Sequence, residues 1–196
     1  MLKKATHNSS TAERPRWWDI LSWLMIPFAR TQTKTIQEQL DNGVRMFDLR
    51  IKKSFGEYHS GHGLYTTKRT FEDILSQIHD AADPLSDPIY VSIAYEGKLS
   101  SMDEFELFKA DILSLKYKYP KIKYGEIVVK YTDDDFKVDW VKVMPPEDGY
   151  PCSQSQFKAL NGKNWQTFIP IPWLWKKIYN NHVEFNEDYF IFVDFI

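Results

Sequence analysis

The chain has 196 residues, 43% of them hydrophobic and 27% charged, with a net charge of −2. That is the composition of a soluble globular protein long enough to bury one sizeable core, so a single domain over 1–196 is expected. The near-neutral charge excludes a general polyanion-binding surface, and nucleic acid is not an expected partner. The single cysteine, Cys152, excludes an internal disulfide framework and a cysteine metal site.

No run approaches the ~20 apolar residues that a membrane-spanning helix needs. The first ten residues lack the apolar segment of a signal peptide, which leaves the compartment undecided. Aromatic residues are frequent, with 7 Trp, 11 Tyr and 13 Phe, and imply a bulky core or an aromatic-lined surface.

In chain order, residues 2–6 read as a short strand that runs into the polar loop at His7. Residues 15–30, PRWWDILSWLMIPFAR, form a helix candidate that ends before Pro27. Residues 33–42 read as a helix stopped by Gly43. The run VRMFDLRI at 44–51 reads as a strand, with Met46, Asp48 and Arg50 on one face and Phe47, Leu49 and Ile51 on the other. EYHSGHG at 57–63 is a short strand entering a glycine loop, with Tyr58, Ser60 and His62 on one side and His59 on the other. Residues 70–82 form an amphipathic helix capped by Thr70.

Residues 88–96 are a strand, and 101–119 a long helix opened at Ser100 or Ser101 and closed by Pro120. Strands at 126–131 and 138–144, helices at 153–161 and 172–181, and an apolar strand at 188–196 complete the pattern. About six to eight strands alternating with helices imply a mainly parallel sheet. Such a chain is an α/β protein, either a distorted, trimmed TIM-like (β/α) barrel or an open doubly wound sheet. The absence of a glycine-rich phosphate loop disfavours nucleotide-binding forms of the open sheet.

Several polar residues break the apolar strands. Asp48 and Arg50 put opposite charges on one face of a strand that should be apolar in a parallel sheet. They belong either to a buried ion pair or edge strand, or to a polar cavity. His7 and His62 are compatible with structural roles as well as with general acid–base chemistry. Asp194 interrupts the last strand, where it either lies near an exposed end or takes an imidazole as partner. Two imidazoles, two carboxylates and one guanidinium suit phosphoryl chemistry, because arginine binds phosphate oxygens while charge develops on them. With Arg50 supplying that charge, no metal and no other cofactor is expected.

HNS at 7–9, TQTKTIQEQLDNGVRMFDLRI at 31–51, HGLY at 62–65, TFEDIL at 70–75 and IFVDF at 191–195 resemble the X domain of phosphatidylinositol-specific phospholipases C of the bacterial, metal-independent type. The resemblance implies a distorted, incompletely closed TIM-like barrel. It implies that His7 is the general base on the inositol 2-hydroxyl, oriented by Asp194. It makes His62 the general acid toward the departing diacylglycerol oxygen, helped by Asp48. Arg50 stabilises the transition state, and a cyclic inositol phosphate is the first product. In the calcium-dependent branch a carboxylate stands where this chain has Arg50, which argues against a calcium site, although Asn8 is compatible with one. Lys130 is a candidate phosphate or head-group contact, beside Asn8.

The implied partner is a phospholipid or inositol phosphodiester, with peripheral membrane contact. The tryptophans Trp17, Trp18 and Trp23 suit headgroup depth, or else belong to a helix packed on the barrel. WLWKKIY at 173–179 is a second candidate contact. Two rival readings are a glycerophosphodiesterase-like metal enzyme, disfavoured by Arg50, and a non-catalytic barrel that binds a lipid head group.

Overall fold

The computed structural model of the chain describes residues 3–7, 9–83, 88–99, 101–132, 138–151, 153–155, 187–188 and 190–193. In chain order it contains β1 (Lys4–Thr6), α1 (Ile20–Ala29), α2 (Ile36–Asp41), β2 (Val44–Ser54), β3 (Glu57–His62), β4 (Tyr65–Thr70), α3 (Phe71–Ala81), β5 (Ile89–Leu99), α4 (Met102–Lys118), β6 (Ile122–Thr132), β7 (Val138–Met144), β8 (Ser153–Ser155) and β9 (Phe190–Val193). None of the described helices is long and apolar enough to cross a membrane.

Alternation along β2 sets the layers. Phe47, Leu49 and Ile51 are fully buried. They pack with Val91, Ile93 and Tyr95 of β5, with Ile127 and Val129 of β6, and with the apolar stripes of α2, α3 and α4. The opposite face of the same strand carries Met46, Asp48 and Arg50. Met46 closes the inner face with Ala5 and Phe190 in a small apolar plug, and Asp48 and Arg50 stand farther along the strand. The helices start where the sequence supplies caps: Thr35 with Glu38, and Thr70 with Asp73, each close a capping box. Ser101 caps α4.

One sheet runs β7-β6-β5-β2-β1-β9-β8, with β3 branching from β2 and β4 pairing with β3. The run from β6 to β8 through β5, β2, β1 and β9 is parallel throughout. β7 and β8 end the strand order, and no pairing joins them among the described residues. The fold is therefore a distorted, trimmed TIM-like barrel with an open seam.

The structure corrects the sequence-based expectations at five points. Nine strands are present among the described residues. Two of them, β4 and β8, are additional to the seven strands expected, and the YTTKRT composition of β4 lacks an apolar alternation. β3 is antiparallel to β2 and β4 is antiparallel to β3, because Phe55 and Gly56, both at positive φ, close a tight hairpin instead of a helical crossover. The face shared by Tyr58, Ser60 and His62 is broken by an irregularity between His59 and Gly61. Tyr58 joins the helix-side core and donates to Asp111 at 2.8 Å, whereas His62 turns to the other side of the sheet. α1 continues through Pro27, and the Arg30 N–H closes its last turn on Ile26. A surface helix tolerates the lost bond there, and Asp19, immediately after Trp17 and Trp18, caps its start. Residues 153–155 extend beside β9 instead of opening a helix. The remainder of that expected helix, and the whole of 172–181, lie outside the described residues.

Candidate active site

β1 ends at Thr6, so His7 stands where the first parallel strand opens into its loop. The loop is tied down by buried polar groups. The His7 carbonyl accepts from Thr31 Oγ1 at 3.0 Å and from Gln32 Nε2 at 3.2 Å. The Ser9 N–H donates to the Asp48 carbonyl at 2.8 Å, and Gln39 Nε2 donates to the Ser9 carbonyl at 2.7 Å. Loop, β2 and α2 are thus one hydrogen-bonded unit, and the imidazole is placed over the charged face of β2.

There the His7 ring nitrogen Nε2 lies 3.5 Å from Asp48 Oδ2 and 3.4 Å from Arg50 Nη2. Arg50 Nε is 3.3 Å from the same Asp48 oxygen, and its Nη1 donates to Glu96 Oε1 at 2.9 Å. Glu96 Oε1 also meets His62 Nδ1 at 3.1 Å, and Glu96 Oε2 accepts the Gly63 N–H at 3.0 Å. Lys130 Nζ lies 3.9 Å from that second oxygen. His7, Asp48, Arg50, Glu96 and His62 form a continuous chain of contacts, with the guanidinium between two carboxylates.

Register explains the convergence. β2 and β5 are parallel neighbours, with Asp48 opposite Ser92 and Arg50 opposite Ala94. The inward set on β5 is therefore Ser92, Ala94 and Glu96, and Glu96 extends the charged face of β2 onto the next strand. β3 folds back antiparallel along the other half of β2, which brings His62 to the same place. Gly63 has a positive φ of 58°, and its N–H faces Glu96.

The electrostatics follow from partial burial. Only 4% of the Glu96 side chain is exposed. Burial works to raise its pKa. The hydrogen bond and charge of His62, the Gly63 N–H and the Arg50 charge outweigh that and hold the carboxyl well below the ordinary range. Burial opposes the charge on Arg50, but Asp48 and Glu96 more than restore it. Lys52, two residues past Arg50, has its pKa lowered by burial, with Glu96 and Asp19 acting against that and Lys130 adding to it. Among the described residues, no group of three or more His, Cys, Asp or Glu side chains gathers as a metal cage.

Of the residues singled out from sequence, His7, Asp48, Arg50, His62 and Lys130 come together. Asn8 and Asp194 lie outside the described residues. Asp48, paired with His62 by the resemblance, has its carboxylate against His7 and Arg50, and the carboxylate on His62 is Glu96. Glu96, the last residue of the strand expected at 88–96, is not among the candidates singled out from sequence. The signal that finds it is the alternation Ser92, Ala94, Glu96 on a parallel neighbour of a strand already carrying inward charges. Trp17 and Trp18 are 81% and 53% exposed, and Trp23 is also exposed. They flank or begin α1, which sits on β4. The Ser22 hydroxyl accepts the Thr66 N–H, and the exposed Leu64 follows His62 by two residues.

The family model for the phosphatidylinositol-specific phospholipase C X domain matches residues 25–129. The solved phosphatidylinositol-specific phospholipase C of Listeria monocytogenes superposes with a TM-score of 0.61 at 17% identity, covering 99% of this chain and 88% of that one. A variant of the Staphylococcus aureus enzyme gives 0.58 at 12% identity, with 98% and 84% covered. Another Staphylococcus aureus structure, from work on modulation of that enzyme's membrane binding, gives 0.53 at 13% identity, with 98% and 85% covered. At these identities the likeness establishes the shared fold. No curated protein matches the chain.

Proposed function

Because the chain belongs to the X-domain family of phosphatidylinositol-specific phospholipases C, we propose that it cleaves the phosphodiester of phosphatidylinositol-type lipids, without a metal, by general acid–base catalysis. The observation that carries this reading is the position of Arg50, in contact with Asp48, Glu96 and His7. A guanidinium held by two carboxylates is a fixed cation at a place where a phosphoryl group can be met by imidazole.

In this mechanism His7 takes the proton from the inositol 2-hydroxyl. The oxygen attacks phosphorus, and Arg50 bears the charge that develops on the phosphoryl oxygens. His62 gives a proton to the diacylglycerol oxygen as the P–O bond breaks, leaving a cyclic inositol phosphate. Water then opens the ring with the two histidines in exchanged roles. Asp48 steadies His7 and Arg50. Asp194 orients His7, and Asn8 and Lys130 contact the substrate. The contact chain supports the roles of His7, Asp48, Arg50 and His62, and the roles of Asn8 and Asp194 rest on the family motifs that carry them.

Access to lipid is assigned to α1 and the residues before it. Trp17, Trp18, Ile20, Leu21, Trp23, Leu24 and Phe28 are all exposed, as is Leu64 in the loop after His62. A patch of this kind is costly in water and suits an interface at headgroup depth. Its place beside the β3–β4 loop would bring the site to the membrane surface.

The test is turnover of phosphatidylinositol vesicles by protein treated with EDTA. The proposal expects activity to persist in the chelator and to fall by about 10²–10⁴-fold in His7→Ala and in His62→Ala, with far-UV circular dichroism unchanged. Activity lost in EDTA and restored by calcium or zinc contradicts it, as does normal turnover in either variant.

A further inference from the structure

We infer that Glu96 is the positioning residue of the general acid, and that it couples His62 to Arg50 through one shared oxygen. The inference rests on the acid–base reading above, and its decisive measurement does not require turnover.

The geometry has three parts. Glu96 Oε1 is within hydrogen-bond distance of both Arg50 Nη1, at 2.9 Å, and His62 Nδ1, at 3.1 Å. Glu96 Oε2 is occupied by the Gly63 N–H at 3.0 Å, so the carboxylate is held at both oxygens and has little freedom to rotate. β3 and β5 are not paired with each other in the sheet. Glu96 therefore reaches over Arg50 on the intervening strand β2 to join the His62–Gly63 corner.

A carboxylate can only accept. Its contact with Nδ1 therefore requires the His62 proton on Nδ1, which leaves Nε2 turned away from Glu96 toward the substrate space. A ring fixed in this way presents one nitrogen to a leaving oxygen. Because the same oxygen holds Arg50, the acid and the cation that meets the phosphoryl group keep a fixed separation. Lys130, 3.9 Å from Oε2, adds a second cation to the carboxylate from the side of β6.

The test is ¹H–¹⁵N NMR of imidazole resonances in the intact chain, with His62→Gln used for assignment. The expected wild-type result is a downfield Nδ1–H proton on His62, protected from exchange. Glu96→Gln keeps the shape and the acceptor but removes the charge, so that resonance should move upfield. In turnover, Glu96→Gln should lower kcat by at least about 10-fold with KM nearly unchanged. Glu96→Asp should recover part of kcat. A wild-type His62 protonated only at Nε2 overturns the inference. A Glu96→Gln variant with an unchanged Nδ1–H signal, or with unchanged kcat, also overturns it. If the wild type fails to turn over phosphatidylinositol but shows the Nδ1–H signal and its upfield shift in the variant, the positioning inference stands and the substrate assignment falls.

Discussion

Glu96 is the residue on which the local charge balance turns. Its carboxyl is held well below its ordinary value of 4.5, against the effect of burial, by His62, Gly63 and Arg50. The unfolded chain therefore takes up this proton at a higher pH than the folded chain. Stability from Glu96 is present above about 4.5 and is lost as pH falls below it. Denaturant unfolding at pH 6 and at pH 3.5 should show the folded state weakened at the lower pH, and Glu96→Gln should show a smaller difference between the two. Arg50 is equally exacting. A lysine keeps the charge but cannot hold Asp48 and Glu96 with separate nitrogens of one planar group. Arg50→Lys is expected to lower kcat by about 10²–10³-fold, measured against phosphatidylinositol, with the secondary structure intact. Asp48 and Arg50 were legible because charge on an inner strand is anomalous by itself. Glu96 was not, because its significance depends on which strand neighbours β2, and pairing partners are decided by the whole sheet.

At the scale of single elements, caps and glycines do much of the placing. Thr70 accepts from the Asp73 N–H at 3.1 Å and ends β4 where α3 begins. Thr70→Ala should cost about 1 kcal/mol and lower the melting temperature by about 2–4 °C, read by thermal denaturation. Gly61 sits at the irregularity between β3 and β4, where a Cβ would lie 2.3 Å from the Tyr65 carbonyl oxygen. Gly61→Ala must displace backbone on one strand. It is expected to destabilise by about 1–3 kcal/mol and to reduce activity by moving His62, two measurements that should change together. Helices α2, α3 and α4 were readable from caps and apolar spacing. The β3–β4 hairpin was harder to read because its turn and bulge use backbone conformations, and YTTKRT carries no periodic signal. The end of α1 was misread because Pro27 reads as a stop, whereas the helix continues through it to Ala29.

For the whole molecule, the inner face of the sheet is divided. Met46, Ala5 and Phe190 close one end with apolar packing, and the charged set of β2, β3 and β5 lies toward the other. A parallel sheet whose helices cover its outer face has its strand ends available for chemistry on one side only. His7, at the end of β1, and His62, on the hairpin beside β2, meet there although they are distant in sequence. The exposed aromatic patch should bind lipid independently of catalysis. Trp17→Ala combined with Trp18→Ala should reduce partition onto phospholipid vesicles by about 10-fold or more, measured by sedimentation. The barrel class and the two histidines were foreseeable from alternating elements and motif order. The incomplete closure was implied by the family motifs, whereas the branch at β3 was not, because it depends on the backbone conformation of the short turn at Phe55 and Gly56.

The central claim is that imidazole and guanidinium, without a metal, break a phosphodiester through attack by a neighbouring hydroxyl. Phosphorus NMR of phosphatidylinositol vesicles incubated with the chelator-treated chain tests it most directly. The account predicts a transient cyclic phosphate resonance that appears before any phosphomonoester. A phosphomonoester formed from the outset with no cyclic species, or no product until a divalent cation is added, would contradict it.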